Sequence, residues 1–341
     1  MSSRRNFLKG AAAGVSATAA LATALPSAAA SGANDHHAIV PKMPRGMKLV
    51  SIQNRDGSET LGVVTEKGVI DVRAAAAKLR MRAPMTLDQL LQEGDSEGLE
   101  KLVARAKSSS FALLDEASIK HGRLFAKPGK IVCVGLNYRQ HAKEIGMQPP
   151  RVPPLFSKYN NSLAPQNTVI ALPPKDLSFK FDYETELLIV IGKRARNISE
   201  ADALGCVAGY CTSNDFSARD LQMELPNSQW MIGKTLDNFA PIGPYFMSAD
   251  LVGDPNNLKI ETWVNGELRQ NSNTSDFIFN TQQMIAYISK HWTLEPGDII
   301  FTGTPQGVIA GYAKEKQVWL KAGDEVVSAI GNLGTLKFKL A

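Results

Sequence analysis

The sequence predicts an α+β protein in which β-structure predominates. Short apolar runs of strand length are separated by turn residues, and the Asn-Gly pair at residues 265–266 joins two of them, which is typical of a type I′ hairpin. No regular alternation of strands with helices appears. This argues against Rossmann and TIM-barrel architectures, because those folds repeat a strand–helix unit.

Length, composition and charge are those of an ordinary globular protein. The chain has 341 residues, of which 44% are hydrophobic and 21% charged. Three of its five net positive charges, Arg4, Arg5 and Lys9, lie in the first thirty residues, which contain no acid. The small excess that remains gives no reason to expect a nucleic-acid partner.

The N-terminus predicts an export signal. Residues 3–9 read Ser-Arg-Arg-Asn-Phe-Leu-Lys, which resembles the twin-arginine (Tat) signal, and an Ala-rich run and a candidate cleavage site at Ala28-Ala29-Ala30 follow. The run is too short and too weakly apolar to be expected to span a membrane. Residues 1–30 are therefore predicted to engage the Tat export machinery, which would place the protein in the periplasm or outside the cell.

The rest of the chain divides into three predicted segments. Residues 31–45 are polar and are predicted to be a disordered linker. Residues 46–125 contain strand patterns followed by short helical stretches, and we predict a small α+β N-terminal domain. Residues 126–341 are strand-rich, with a helix predicted at residues 280–291, and are expected to form the catalytic domain.

Acidic residues alternate at the start of a strongly apolar strand. Asp182, Glu184 and Glu186 lead into the run of residues 187–191, and side chains two apart in a strand share a face. Three carboxylates packed together are costly unless a cation or a proton compensates their charge. The alternative is an acidic edge that faces solvent.

A second acidic element favours a metal site over that alternative. Asp215 follows the apolar run of residues 206–211 and is expected at the end of another strand. Two strand ends can bring Glu184, Glu186 and Asp215 to one ion, with Asp182 as a neighbour. Oxygen ligands suit Mg²⁺, Mn²⁺ or Ca²⁺ rather than zinc or copper.

Six motifs follow one another between residues 127 and 341. They are Val134–Tyr138 with His141 and Glu144, Asp182–Leu187, Asn214–Gln222, Gly233–Asp237, Val264–Gln270 and Thr302–Val308. Together they resemble the fumarylacetoacetate hydrolase (FAH) family, and within it the smaller acylpyruvate-hydrolase-like branch. The resemblance implies a rolled, mixed β-sheet around the active site, a homodimer, and Mg²⁺ or Mn²⁺ on Glu184, Glu186 and Asp215. Asn137 stands where the founding hydrolases place an acidic ligand, so a three-carboxylate site is expected.

A histidine and a glutamate are spaced for acid–base catalysis. His141 and Glu144 are three residues apart, which places them on one face of a helical turn. A carboxylate that orients the imidazole would let His141 deprotonate a water molecule. The alternative is a hydrogen-bonded histidine of the core. Residues 139–155, rich in proline, are predicted to be a lid over the metal, with Arg151 reaching the far end of the substrate.

Five further residues are candidates for contact with the substrate. Lys234 can add positive charge where an oxyanion develops, although a surface lysine is the alternative. Arg219 and Gln222 lie one helical turn apart and suit carboxylate binding. Thr304 can donate a hydrogen bond to a carboxylate or simply belong to a turn, and Tyr138 of the first motif is a fifth candidate.

The leading hypothesis is a metal-dependent hydrolase that cleaves a C–C bond in a small 2,4-dioxo acid, such as an acylpyruvate or a fumarylacetoacetate-like acid. An oxo-acid lyase or isomerase is the alternative: an oxaloacetate decarboxylase, or an enzyme that isomerises or hydrates muconate-type diacids. All of these reactions stabilise an enolate, so the metal ligands do not separate them. A periplasmic oxo-acid-binding protein is a third hypothesis, against which His141, Glu144 and Lys234 argue.

Overall fold

The computed structural model describes residues 42–109, 111 and 113–341. Most of its regular structure is β-structure. Within the described residues the strands are β1 (Lys48–Gln53), β2 (Glu59–Thr65), β3 (Gly68–Asp71), β4 (Ile131–Val134), β5 (Leu155–Ser157), β6 (Leu163–Ala164), β7 (Thr168–Ile170), β8 (Phe181–Asp182), β9 (Thr185–Ile191), β10 (Val207–Asn214), β11 (Ser217–Ala218), β12 (Ala240–Pro241), β13 (Phe246–Ser248), β14 (Lys259–Val264), β15 (Glu267–Asn273), β16 (Ile299–Phe301), β17 (Glu325–Ile330) and β18 (Thr335–Leu340).

The helices are short, and most begin at a polar cap. In the same part of the chain they are α1 (Val72–Leu79), α2 (Leu87–Glu93), α3 (Ser96–Lys107), α4 (Arg139–Glu144), α5 (Glu200–Ala203), α6 (Trp230–Lys234) and α7 (Thr281–His291). The helix predicted at residues 280–291 is α7. Asn280 and Gln283 form a reciprocal capping box at its start, which satisfies two otherwise unpaired N–H groups.

A nine-stranded mixed sheet forms the centre of the molecule, in the order β3-β2-β1-β13-β10-β9-β16-β4-β5. Every residue of β9 is buried, as its continuous apolar run predicts. β16 pairs in parallel with β4, whereas β9 pairs antiparallel with both β10 and β16. The predicted mostly-β α+β class is confirmed.

The strands of residues 46–125 belong to this same sheet. β1 pairs with β13, so β1, β2 and β3 continue the sheet that contains β9 and β10. The domain boundary between residues 125 and 126 stays a prediction. Of the predicted linker, residues 42–45 lie in the described chain, where Lys42 pairs with Glu100 at 3.2 Å. The predicted signal segment, residues 1–30, lies outside the described residues.

A second sheet of five strands, in the order β15-β14-β17-β18-β7, packs beside the first. Its β14–β15 hairpin turns at Asn265 and Gly266, whose φ angles are 50° and 83°. Two consecutive positive φ angles define the predicted type I′ turn. Among the described residues, no helix combines the length and the apolar character needed to cross a membrane.

Candidate active site

The pairing of β9 with β10 brings three carboxylates together. Because the two strands run antiparallel, the start of β9 lies beside the end of β10, with Ser213 opposite Glu186. The backbone N–H of Asp215 donates to the carbonyl oxygen of Glu184 at 2.8 Å. Glu184, Glu186 and Asp215 are buried, and each offers a carboxylate oxygen within 4.8 Å of the others.

Three buried cations surround this cluster. Nζ of Lys158 donates to Oδ1 of Asp215 at 2.5 Å, and Nη2 of Arg219 donates to Oε1 of Glu184 at 2.7 Å. Lys234 donates to Oε2 of Glu184, and its Nζ lies 2.9 Å from Oδ2 of Asp215. That second approach is an ion pair without hydrogen-bond geometry, because Oδ2 of Asp215 accepts no hydrogen bond.

Glu186 is the carboxylate that lacks a cation. Within the described residues it makes no ion pair and accepts one hydrogen bond, from the N–H of Gly303 at 2.7 Å. Burial raises the pKa of Glu186 well above its usual value, and the charges of Asp215 and Glu184 raise it further. A buried carboxylate in this position needs a proton or a cation to compensate its charge.

The pKa of Glu184 is shifted in the opposite direction. Burial alone would raise its pKa, but the charges of Lys234 and Arg219 lower the pKa of Glu184 to about 2. For Lys234, burial alone would lower the pKa. The charges of Asp215 and Glu184 instead raise the pKa of Lys234 above its ordinary value, so it stays an ammonium. The uncompensated Glu186, the unbonded Oδ2 of Asp215 and an all-oxygen donor set fit a divalent cation.

Asp182 does not belong to the cluster. The predicted single strand is interrupted at residues 183–184, so the alternation of faces does not extend from Glu186 back to Asp182. Its carboxylate accepts from Nε of Arg219 at 2.8 Å and from the backbone N–H groups of Ile309 and Ala310 at 2.9 and 3.0 Å. Asp182 therefore holds Arg219 in place, which agrees with its expected position as a neighbour.

The predicted His–Glu pair is present on α4. Nδ1 of His141 lies 3.2 Å from Oε2 of Glu144, and Oε1 of Glu144 accepts from the N–H of Gly307 at 2.9 Å. Because the carboxylate only accepts, Nδ1 carries the hydrogen between them, and in the neutral imidazole Nε2 keeps its lone pair. When the imidazole is protonated instead, it is close enough to the cluster for its charge to contribute to the lowered pKa of Glu184.

Three candidate substrate-binding residues, Arg219, Gln222 and Thr304, already make hydrogen bonds within the protein. Nη1 of Arg219 donates to Oε1 of Gln222 at 2.8 Å. The hydroxyl of Thr304 donates to the carbonyl of Thr185 at 2.9 Å and accepts from Gln270, so it is already bonded within the turn. A contact between Thr304 and a substrate stays a prediction.

The structure corrects the prediction that Tyr138 contacts the substrate. Tyr138 is fully buried and packs edge-on against Phe277 with ring centroids 4.8 Å apart, and it does not line the cavity described next.

A cavity of about 660 Å³ opens over the carboxylates. Its polar wall carries most of the predicted site residues: His141, Glu184, Glu186, Asp215, Arg219, Gln222, Lys234 and Thr304. The predicted lid contributes Ile145 and Met147 to the wall, whereas Arg151 is exposed and does not line it. The movement of that lid stays a prediction.

Two residues of the site had no signal in the sequence analysis. Lys158 is a single lysine after the short strand β5, with no acidic residue near it in the sequence, and such lysines are usually solvated. Trp230 lines the cavity four residues before Lys234, and nothing in its local pattern separates it from a core tryptophan. Only the folded structure brings them to the carboxylates.

The mixed sheet, the buried carboxylate cluster and the His–Glu pair define an enzyme with a candidate divalent-metal centre. The family model described as the C-terminal part of fumarylacetoacetate (FAA) hydrolase matches residues 130–341, and the chain belongs to this family. It is 42% identical over 295 residues to a mitochondrial oxaloacetate tautomerase, FAHD2B, of Bos taurus, an alignment that covers 86% of this chain and 91% of that protein. The Homo sapiens oxaloacetate tautomerase FAHD2A, also named mitochondrial, is 40% identical over 269 residues, which are 79% of this chain and 82% of that one.

Solved structures share the fold. An HpcE protein from Mycobacterium smegmatis aligns with a TM-score of 0.73 at 33% identity and covers 86% of this chain and 99% of that one. Fumarylpyruvate hydrolase from Pseudomonas aeruginosa, in complex with Mn²⁺ and pyruvate, aligns with a TM-score of 0.56 at 35% identity over 62% of this chain and 89% of that one. A 5-carboxymethyl-2-hydroxymuconate delta-isomerase from M. smegmatis aligns with a TM-score of 0.64 at 26% identity. The alignment covers 86% of this chain and 99% of that one.

These comparisons confirm the predicted family and correct two finer predictions. The acylpyruvate-hydrolase-like branch is not supported, since these two relatives, at 42% and 40% identity, are named oxaloacetate tautomerases. The predicted export to the periplasm or beyond is wrong, since the same relatives are named mitochondrial. An arginine-containing stretch that lacks acids occurs in Tat signals and in organellar transit peptides alike, so residues 1–30 did not distinguish them. The homodimer stays a prediction.

Proposed function

We propose that this enzyme interconverts the keto and enol forms of a small 2-oxo dicarboxylic acid of the oxaloacetate kind. The observation that carries the proposal is the His141–Glu144 pair, whose histidine lines the same cavity as the carboxylate cluster. Relatives at 40–42% identity are named oxaloacetate tautomerases, which supports this reaction.

Glu184, Glu186 and Asp215 are the residues that would hold the metal, Mg²⁺ or Mn²⁺. When bound, the ion supplies Lewis-acid polarisation of the 2-oxo group. The fumarylpyruvate hydrolase structure contains Mn²⁺, which supports a cation of this type. An all-carboxylate donor set favours such hard cations over zinc.

His141 would move the proton. Glu144 holds Nδ1–H of the imidazole, so Nε2 is free to take a proton from the carbon next to the oxo group. That C–H bond breaks, an O–H bond forms on the former oxo oxygen, and no oxidant or reductant is needed. Lys234, kept as an ammonium by Glu184 and Asp215, stabilises the negative charge that develops on that oxygen.

The test is the rate of enol-to-keto conversion of oxaloacetate, followed by the loss of enol absorbance. The protein is stripped with a chelator and reloaded with Mg²⁺ or Mn²⁺. We expect metal-dependent acceleration and a loss of about 10²–10⁴-fold in kcat for His141→Ala. The exposed His291, at the end of α7, gives the control variant His291→Ala. A rate no higher than that of free metal, or full activity in His141→Ala, would overturn the proposal.

A second candidate function is hydrolytic C–C cleavage of a 2,4-dioxo acid. The same His141 can deprotonate a water molecule, and a fumarylpyruvate hydrolase with bound pyruvate is 35% identical. Release of pyruvate from fumarylpyruvate is the discriminating measurement. If kcat/KM for that release exceeds kcat/KM for oxaloacetate, hydrolysis is the principal activity.

A further inference from the structure

The cavity is larger and more apolar than oxaloacetate requires. Its volume of about 660 Å³ lies in the middle of the range of roughly 300–1,000 Å³ that holds drug-sized ligands. Beyond the carboxylates and their cations, its wall combines apolar side chains, among them Phe156, Trp230, Val308 and Trp319, with the polar residues Lys180, Glu224, Lys314 and Gln317. A four-carbon diacid would leave this part of the wall without contact.

Trp230 and Phe156 form an aromatic wall that is built into the fold. Their rings meet edge to face, with centroids 5.5 Å apart and an interplanar angle of 77°. The indole of Trp230 rests directly on Gly135, where an added Cβ would lie 2.4 Å from Cζ3 of the indole. A side chain at residue 135 would displace the indole ring. Glycine at this residue therefore leaves the room that Trp230 needs beside the cavity.

This aromatic wall lies next to the reacting groups. Nζ of Lys234 is 5.7 Å from the ring centroid of Phe156, and Lys234 itself contacts Glu184 and Asp215. Trp230 and Lys234 are the first and last residues of the same short helix, α6. A substituent larger than a carboxylate on the carbon beside the oxo group would therefore reach the two rings.

We propose that the enzyme accepts 2-oxo acids that carry an aromatic ring on this carbon, and that Trp230 and Phe156 receive the ring. The inference rests on the proposed tautomerase function and names a substrate class for it. Aromatic rings offer an aryl group stacking or edge-to-face contacts, which a small carboxylate substituent does not use. Two lysines also line this part of the cavity: Lys180 is paired with Glu224 at 2.5 Å, and Lys314 is exposed to solvent.

The experiment compares enol-to-keto conversion of phenylpyruvate and oxaloacetate by the metal-loaded enzyme. We expect phenylpyruvate to be converted well above the rate with metal alone. Trp230→Ala should lower kcat/KM for phenylpyruvate about tenfold more than kcat/KM for oxaloacetate, and Trp230→Phe should restore most of that difference. Phe156 lies on β5, outside α6. Phe156→Leu should also lower kcat/KM for phenylpyruvate more than kcat/KM for oxaloacetate.

Binding gives a readout that is independent of turnover. Benzoylformate has the same oxo-carboxylate with a phenyl ring and no hydrogen to abstract, and pyruvate is its ring-free counterpart. Calorimetry should show that benzoylformate binds more tightly than pyruvate, and that Trp230→Ala removes the difference. Trp263, on β14 and away from the cavity, gives the control variant Trp263→Phe, which should leave both affinities unchanged.

The outcomes separate the two proposals. Conversion of oxaloacetate without conversion of phenylpyruvate overturns the aromatic-substrate inference and leaves the tautomerase proposal standing. Conversion of neither overturns both. A third outcome is that phenylpyruvate is converted, but the ratio of its kcat/KM to that of oxaloacetate is the same in wild type, Trp230→Ala and Phe156→Leu. That result would show that the wall does not receive the ring.

Discussion

Nζ of Lys158 donates to Oδ1 of Asp215 at 2.5 Å and to the carbonyl oxygen of Phe239 at 2.9 Å. The side chain of Lys158 is fully buried, so these two acceptors define its position. Its ammonium occupies one oxygen of Asp215, while Oδ2 lies 2.9 Å from Nζ of Lys234 and accepts no hydrogen bond from the described residues. Lys158 therefore orients a candidate metal ligand.

Lys158→Met should weaken metal binding by about 10- to 100-fold, which is the usual cost of removing a residue that orients a ligand. Calorimetric titration with Mn²⁺ measures this directly. Lys130→Met removes a lysine that pairs with Asp298 at 2.8 Å outside the cavity and is the matched control. Tighter Mn²⁺ binding in Lys158→Met would instead show that relief of charge repulsion outweighs the loss of orientation.

Metal should stabilise the folded protein, and Glu186 should be required for that effect. A cation that binds only the folded state at about one hundred times its Kd contributes about 2.7 kcal/mol. Thermal unfolding with chelator and with excess Mn²⁺ measures the difference. In Glu186→Gln the difference should nearly vanish, while Glu261→Gln on β14 should keep it. An unchanged metal effect in Glu186→Gln would remove Glu186 from the ligand set.

Glu144→Gln should lower kcat at least about tenfold, but by less than His141→Ala, because the imidazole loses its charged partner and keeps its position on α4. Steady-state kinetics together with Mn²⁺ titration measure the effect, and the metal affinity should not change. Glu224→Gln alters another carboxylate at the cavity and serves as the control. A parallel loss of Mn²⁺ affinity in Glu144→Gln would indicate a disturbed fold rather than lost orientation.

Gln270 ties the two sheets together behind the carboxylates. Its side-chain oxygen accepts from the N–H of Thr185 at 3.2 Å and from the hydroxyl of Thr262 at 2.6 Å, and its amide N–H groups reach Thr304 and Pro305, each at 2.9 Å. Gln270→Met should cost about 1–3 kcal/mol for each buried group left unpaired. Urea unfolding measures this, with the exposed Asn271→Ala as control. A change below about 0.5 kcal/mol would show that the network relaxes to other partners.

The sequence predicted those parts of the fold and site that local patterns encode. The continuous apolar run of residues 187–191 predicted a buried strand, and the Asn265-Gly266 pair predicted a turn that requires two positive φ angles. The spacing of His141 and Glu144 predicted their contact, since residues three apart on a helix are neighbours. The strand is interrupted at residues 183–184, so alternation does not extend to Asp182, which lies beside the cluster as the neighbour that was expected.

The N-terminal signal was misassigned for a related reason. Targeting segments are defined by composition more than by sequence, and an acid-poor stretch with arginines is compatible with more than one destination. The substrate preference was likewise beyond local patterns. All of the candidate reactions use the same carboxylates and the same base, so the motifs identify the family more closely than the reaction.

Local patterns were enough to predict the fold class, the family and the three carboxylates, because periodicity and motif order are properties of neighbouring residues. The tertiary structure was needed to place the charges around those carboxylates. It brings in Lys158, Arg219 and Lys234 from separate segments, and among the described residues it leaves Glu186 without a cation. It also decided that Trp230 faces the cavity and Tyr138 the core. Long-range contacts of this kind depend on how strands pair and loops close, which no local pattern specifies.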